Sequence, residues 1–483
     1  MVPVLAVLCL TPAFLWYRNG MDWLPLGEAF LGMTFVFYGF PSLYGNLDWL
    51  AISPEQRFMT LAAVVVFSVS FLLAYRYWAA VVVSLMSFLL AYRSDSGDRE
   101  KAPQQDGTRG NDIRVKWMLG RGVMTILKRE IRSEFIWLIF STWVASNVII
   151  ETGLLPDLGD KMNVFNSVFG AGGSMSIVYL CYQLGLRQLS AQAHFALITG
   201  LIAGLATNIA SGFLVQGGGI MAAALFAFSL GRKRVPALTA TFCMILLGVL
   251  HVGKDEYRIT YWDEGKNFGT HYDVSLVTKY TTWFEASWKA LNRDQSRNDD
   301  QTDLFKRASL LQVLATVMQE TPVKLPYLNG LTYEILPDML IPRPFWSDKP
   351  RGSLPTEFLA VHYGLQAREE VDFTSVSVGS IAEGWANFGW IGVTAAGLFF
   401  GAFFSVPARL SRSLVPRQVG WLLTSIFLVY SVDVAHSAVE VFCSVVQGLL
   451  MGLVMLTVLS RGFTFSRLAQ KHVPPIDGKY PQP

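Results

Sequence analysis

Three cations, Arg343, Lys349 and Arg351, fall within nine residues of IPRPFWSDKPR and alternate with Phe345 and Trp346. Guanidinium and ammonium groups neutralise phosphate oxygens, and flat rings stack on the apolar faces of sugars, so this pairing suits a phosphorylated sugar. The stretch from Leu325 to Phe358 also holds six prolines and two glycines. That composition equally describes a rigid loop at a membrane surface with its aromatics as anchors.

A fourth cation, Arg307, lies in TDLFKRASLLQVLATVMQETP. Thr302 or Asp303 offers an N-cap and Pro322 a stop, which predicts a helix of about five turns. Leu304, Ala308, Leu311, Leu314, Ala315 and Met318 then share one stripe, with Gln312, Thr316 and Gln319 beside it, and Arg307 projects from within the stripe. A guanidinium on a buried face needs an anion. It either pairs with a protein carboxylate or binds a substrate anion.

Two polar clusters follow. In SVSVGSIAEGWANFGWIGV, Glu383 stands where the chain enters an apolar run, and Asn387 is one turn on. The carboxylate can serve as general base on an acceptor hydroxyl or as counterion to a loop arginine. Asp433, His436 and Glu440 are spaced about one turn apart near the ends of the last two apolar runs. Three ligands spread over a turn are a weak metal signature, and groups that pair with the loop are the favoured reading. The four cysteines, Cys9, Cys181, Cys243 and Cys443, all lie in apolar runs and read as packing residues, without a disulfide framework.

The elements that must position these residues are transmembrane. The chain is 52% hydrophobic and only 16% charged, far from soluble usage, and its net charge of +3 argues against nucleic acid and against a polybasic surface protein. Apolar runs at 2–17, 24–44, 58–75, 77–92, 133–153, 163–184, 193–210, 212–230, 235–252, 383–406, 418–437 and 440–459 are near the ~17–25 residues a spanning helix requires. The expected fold class is therefore an all-α polytopic membrane protein of about twelve spans. The first run lacks a basic n-region and a cleavage site and reads as a retained span.

Basic residues fix the expected orientation. The stretch Arg93–Arg132 carries ten Lys/Arg; Arg232, Lys233 and Arg234, then Arg409, Arg412 and Arg417, then Arg461, Arg467 and Lys471 form further clusters. Twelve spans, with a turn at Arg76 between the third and fourth, put all of these on the cytoplasmic face with both termini. Six segments follow: N-terminal spans (1–92), a basic cytoplasmic linker (93–132), central spans (133–252), a large external loop (253–382), C-terminal spans (383–460) and a cytoplasmic tail (461–483). The loop opens on a polar stretch, Lys254–Asp303, that reads as solvated surface.

Several stretches resemble the O-antigen polymerase family: GKDEYR (Gly253–Arg258), RASLL, LNGLTY (Leu328–Tyr333), IPRPFWSDKP (Ile341–Pro350) and AEGWANFGWIGV (Ala382–Val393). The resemblance covers roughly 140 residues in detail and elsewhere rests on hydropathy. It implies a membrane glycosyltransferase, similar to the C-class fold, in the bacterial inner membrane. Such an enzyme moves a growing glycan from undecaprenyl diphosphate to the next lipid-linked repeat unit, making O-antigen, capsule or exopolysaccharide without a metal or nucleotide-sugar cofactor. Whether a chain-length regulator or a flippase accompanies it stays open.

The family pattern matches Arg343, Lys349, Arg307 and Glu383, which it implies are catalytic; Lys254, Arg258, Tyr333, Trp346, Arg351 and Asn387 are the substrate-binding candidates. Where many members carry a basic residue in a short outer loop, this chain has Gln216 within SGFLVQGGG, and Lys254 and Arg258 are the candidate replacements. Two rival readings are an O-antigen ligase, which shares the lipid donor, and a lipid-linked sugar flippase.

Overall fold

The computed structural model describes residues 1–43, 52–94, 126–151, 160–212, 214–261, 274–292, 310–341, 346, 349–371, 376–414 and 416–471. Among them every regular element is a helix, and the one extended pairing is an isolated bridge between Glu130 and Gln418. Five helices are long and apolar enough to cross a bilayer, within α3 (Pro54–Ser94), α4 (Ser133–Glu151), α6 (Ala191–Ala210), α14 (Gly379–Ser413) and α16 (Ala438–Lys471). Shorter apolar helices accompany them: α1 (Val2–Arg18), α7 (Leu214–Arg232), α8 (Ala237–Val252) and α15 (Val419–Ser431). Two more, α2 (Leu26–Thr34) and α5 (Asp160–Gly185), complete the bundle. The protein is an all-helical membrane protein.

The expected turn at Arg76 does not form. Residues 54–94 make one helix of 41 residues, roughly 60 Å at 1.5 Å per residue and about twice the hydrocarbon thickness. A lone arginine between tyrosines is a good helix former and carries no break signal. Its carbonyl instead accepts a bond from Arg409 Nη2, which also bonds Tyr75 O at 3.1 Å. The two apolar runs expected on either side of Arg76 thus belong to one helix.

The two ends of the bundle differ. The turn after α1 meets the basic clusters: Lys233 Nζ lies 2.8 Å from Asp22, Leu24 N donates to Ser411 Oγ at 3.2 Å, and the Arg412 guanidinium covers the Trp23 ring at 3.7 Å. Arg129 and Arg417 join them through the paired strands of backbone around Glu130 and Gln418. We call this the basic end. At the other end Leu5 approaches Gly39, Tyr38 lies over Gly379, and Gly379 N donates to Ala435 O at 3.1 Å. Helix α1 therefore starts opposite the basic end, whereas α16 runs toward it, antiparallel to α15 with Gly448 and Gly452 against Ile426.

Close packing uses glycine, because lipid gives helices no hydrophobic reason to associate and small residues let backbones approach. A Cβ at Gly397 of α14 would stand 2.5 Å from Phe67 O of α3, and Gly401 one turn on abuts Phe71 O. Around this crossing Phe30, Phe67, Phe71, Phe400 and Phe404 form one aromatic cluster, with Phe30 to Phe400 centroids 5.0 Å apart. Gly185 and Gly231 make the equivalent approach between α5 and α7.

Outside the spans, α9 (Lys254–Tyr261) and α10 (Leu276–Asn292) occupy the stretch expected to be solvated surface. Both pack instead. Tyr257 stacks on Trp283 at 4.1 Å, Trp283 Nε1 donates to Leu250 O at 2.7 Å, and Tyr280 OH donates to Ala206 O at 2.7 Å. Next, α11 (Leu310–Glu320) buries Leu311, Leu314 and Ala315 as the expected stripe required, and Val313 and Val317 as well, so its buried face is wider than a stripe. The proposed caps Thr302 and Asp303, and Leu304, Arg307 and Ala308, lie outside the described residues. Two short helices, α12 (Leu336–Leu340) and α13 (Leu354–His362), follow.

Candidate functional site

The site is built around a break in α14. Phe388 (φ −143°, ψ 17°) and Gly389 (φ 59°, ψ −134°) leave helical geometry and divide a short segment, 379–387, from the long membrane-crossing segment that follows. The Gly389 conformation is one that a side chain opposes, and a Cβ there would also stand 2.8 Å from Tyr327 OH. The chain bends so sharply that a Cβ on Gly384 would lie 2.8 Å from Gly392 O, a contact impossible eight residues along a straight helix.

A break frees carbonyl groups that must be satisfied elsewhere. Leu328 N donates to Ala386 O at 3.0 Å and Asn329 N to Asn387 O at 3.2 Å. Asn387, fully buried, clasps the same loop: its Nδ2 donates to Thr332 Oγ1 and to Glu383 O, both at 2.8 Å, and its Oδ1 accepts from Gly330 N at 2.9 Å. The LNGLTY stretch is thus bolted to the AEGWANFG stretch. Asn387 serves as the bolt, with both ends of its side-chain amide bonded to protein atoms.

Glu383 faces the start of α16. Its Oε2 accepts from Ala438 N at 2.6 Å, so the carboxylate caps a helix N-terminus, where negative charge is favoured. Thr332 lies beside the carboxyl, yet Oε1 has no hydrogen bond of good geometry among the described residues, although the side chain is wholly buried. Tyr333 is the neighbour. Its ring lies parallel to Phe388 at 6.5 Å, and burial, then the charge of Glu383, push its hydroxyl pKa up.

Asp433 and His436 stand in the turn leading into α16, and Glu440 in its first turn. His436 Nδ1 is 2.5 Å from Asp433 Oδ2 and its Nε2 3.5 Å from Glu440 Oε1. Burial alone would lower the imidazole pKa; the two carboxylates overcome it and raise the value to about 10. Glu440 Oε2 accepts from Thr356 Oγ1 of α13 at 3.2 Å, so the cluster meets the segment between α8 and α14 through Glu440, as the sequence favoured. Among the described residues no set of His, Cys, Asp and Glu is placed to hold a metal.

The remaining candidates divide. Lys349 is buried, and its Nζ donates to Met339 O at 2.6 Å beside Gln447 Nε2, which donates to the same oxygen at 3.0 Å. It therefore lies between α12 and α16, next to Cys443, on the flank of the apolar cluster that includes Tyr333. Trp346 is half-buried, with its carbonyl bonded by Lys349 N, and Arg351 is exposed at the start of α13. Arg307 and Arg343 lie outside the described residues. Lys254 and Arg258 are on α9, which packs into a different apolar cluster from the one around Glu383. Arg258 Nη2 donates to Gly212 O at 3.0 Å, just before α7, and Gln216, expected in a short outer loop, lies instead in the first turn of α7.

Sequence reasoning missed Thr332, Tyr38 and Ala438, for which only the order of the chain through the bundle gives a signal. It also missed the buried pair Lys279 Nζ to Glu151 Oε1, 2.5 Å apart and linking α10 to α4. No family model, no curated protein and no solved structure matches this chain.

Proposed function

We propose that this protein is a glycosyltransferase of the bacterial inner membrane that polymerises undecaprenyl-diphosphate-linked repeat units. The observation that carries the reading is Glu383: a wholly buried carboxylate beside a break in its helix, fixed through one oxygen by a helix N-terminus, with Thr332 beside it and its other oxygen without a hydrogen bond of good geometry among the described residues. A buried acceptor without a partner is costly and marks a place where a donor arrives. An acceptor hydroxyl is such a donor.

In this reaction the acceptor oxygen attacks the anomeric carbon of the donor glycan, its proton passes to Glu383, and the bond from that carbon to the diphosphate oxygen breaks. Negative charge grows on the leaving oxygen, so fixed cations there stabilise the transition state more than the ground state. Lys349, with Arg343 and Arg307, fills that role. Tyr333 and Trp346 supply faces for sugar rings, and Asn387 positions Glu383 by holding its carbonyl.

With the basic end in the cytoplasm, as the positive-inside rule favours, the site faces outward and eleven crossings serve: α1 to α8 and α14 to α16. Met1 is then external and Lys471 cytoplasmic.

The test is purified protein in lipid, supplied with a lipid-linked repeat unit and its products resolved by size. A ladder of lengths that vanishes in Glu383→Gln supports the proposal. Transfer to lipid A core alone would make the protein a ligase. A flippase is the second reading, favoured by the broken helix beside a buried carboxylate, which transporters use at substrate sites. Lipid movement between leaflets with no new glycosidic bond would establish it.

A further inference from the structure

Helix α10 has three faces, and they match the three surroundings found at a membrane surface. At about 100° per residue, Lys279, Trp283, Ala286 and Ser287 fall on one arc, and all four are buried. A second arc carries Thr278, Thr282, Glu285, Lys289 and Asn292, polar throughout. The third spans only about 60° on the same spacing and holds Val277, Phe284, Trp288 and Leu291, all exposed, with Trp288 70% accessible.

The buried arc shows where the helix sits. Trp283 and Tyr280 bond the carbonyls of Leu250 and Ala206, near the outward ends of α8 and α6, and Lys279 reaches Glu151 at the end of α4. Those three spans end at this level, so α10 lies where hydrocarbon gives way to water. Spans α8 and α6 expose their own apolar stripes, Leu238, Phe242 and Ile245 on one, Phe195, Ile198 and Ile202 on the other. No described residue covers the stripe of α10.

We propose that α10 is an interfacial helix, lying in the leaflet surface at the end opposite the basic end, with Val277, Phe284, Trp288 and Leu291 in lipid and Glu285 and Lys289 in water. Its occupant is the acyl-glycerol region of the leaflet. A helix with an apolar arc of this kind and a polar face lies in the plane of the interface, and a tryptophan with a lysine beside it is the usual anchor pair there. The Lys279 to Glu151 pair fixes its depth.

The experiment is spin-label accessibility in vesicles of phosphatidylethanolamine and phosphatidylglycerol. Phe284→Cys and Trp288→Cys report the apolar arc and Glu285→Cys and Lys289→Cys the polar one, with the unsubstituted chain as blank for its native cysteines. The expected result is several-fold more collision with oxygen than with a water-soluble nickel chelate at 284 and 288, and the reverse at 285 and 289. Nickel access at 284 and 288 equal to that at 285 and 289 would overturn the proposal, as would low access to both reagents, which would mean a protein surface covers the stripe. If Trp288→Cys fails to fold, Val277→Cys and Leu291→Cys read the same arc.

Discussion

The amide of Ala438 donates to the carboxylate of Glu383 at 2.6 Å, joining the short segment of α14 to the first turn of α16 across 55 positions of sequence. Glutamine keeps an acceptor oxygen for that amide and removes the proposed base. Glu383→Gln should therefore stay folded while glycosyl transfer falls by about 10²-fold or more, the usual scale for a lost general base. Glu383→Ala also strips the cap and should cost about 1–3 kcal/mol in stability. Turnover and thermal unfolding of the two variants, measured side by side, separate the roles; a fully active Glu383→Gln would end the assignment.

Gly389 is a second test of the same region. Alanine there must take φ near 59° with ψ near −134° and must also displace Tyr327 OH. Strain of this kind costs about 1–3 kcal/mol, so Gly389→Ala should lower the unfolding temperature in detergent. Gly352→Ala is the control, because a Cβ there meets nothing within 4 Å. Equal stability of the two variants would mean that the break relaxes without penalty.

Much of the bundle was legible in hydropathy, because a spanning helix must be apolar along its whole length. The failure at Arg76 shows the limit: a charged residue lowers the hydropathy of a window, but only the backbone decides whether a helix stops, and tyrosine and arginine do not stop one. Lys279 shows another. A lysine in a polar stretch reads as solvated, yet here its stem and charge are spent on Glu151, 128 residues earlier. At the site, Glu383 and Asn387 stood out by their position before an apolar run. Their partners Ala438, Thr332 and Gly330 carry no chemical signature, and they are found only once the chain has been folded. The grouping of Asp433, His436 and Glu440 was legible from spacing, and so was its contact with the segment between α8 and α14, made by Thr356 on Glu440.

Stability should depend on pH through His436. Asp433 and Glu440 flank the imidazole from its own turn and from α16; Thr356 reaches the same Glu440, Glu357 contributes charge from α13, and Ser380 of α14 donates to the His436 carbonyl. Its pKa is raised from an ordinary 6.5 to about 10. A raised value means that the folded protein binds the proton more tightly than the unfolded chain does. The stabilisation is fully present below about 6.5 and is lost as pH climbs toward about 10. Unfolding temperature should fall over that window in the wild type and fall less steeply in His436→Gln. Parallel profiles would show that the imidazole carries no such charge.

The Lys279 to Glu151 pair should behave as a unit. Each side chain is nearly inaccessible to water, 1% and 5% exposed, so removing one partner strands the other charge. Lys279→Met and Glu151→Leu should each cost about 3–5 kcal/mol, as expected when a buried pair is broken. Replacing both with apolar groups, Lys279→Met with Glu151→Leu, removes both charges from the interior and should recover most of that loss. A double-mutant cycle on unfolding in detergent measures the coupling directly. Additive losses, with no recovery in the double variant, would mean that Lys279 and Glu151 act independently and that α10 is held by its tryptophan and tyrosine bonds to Leu250 and Ala206 alone.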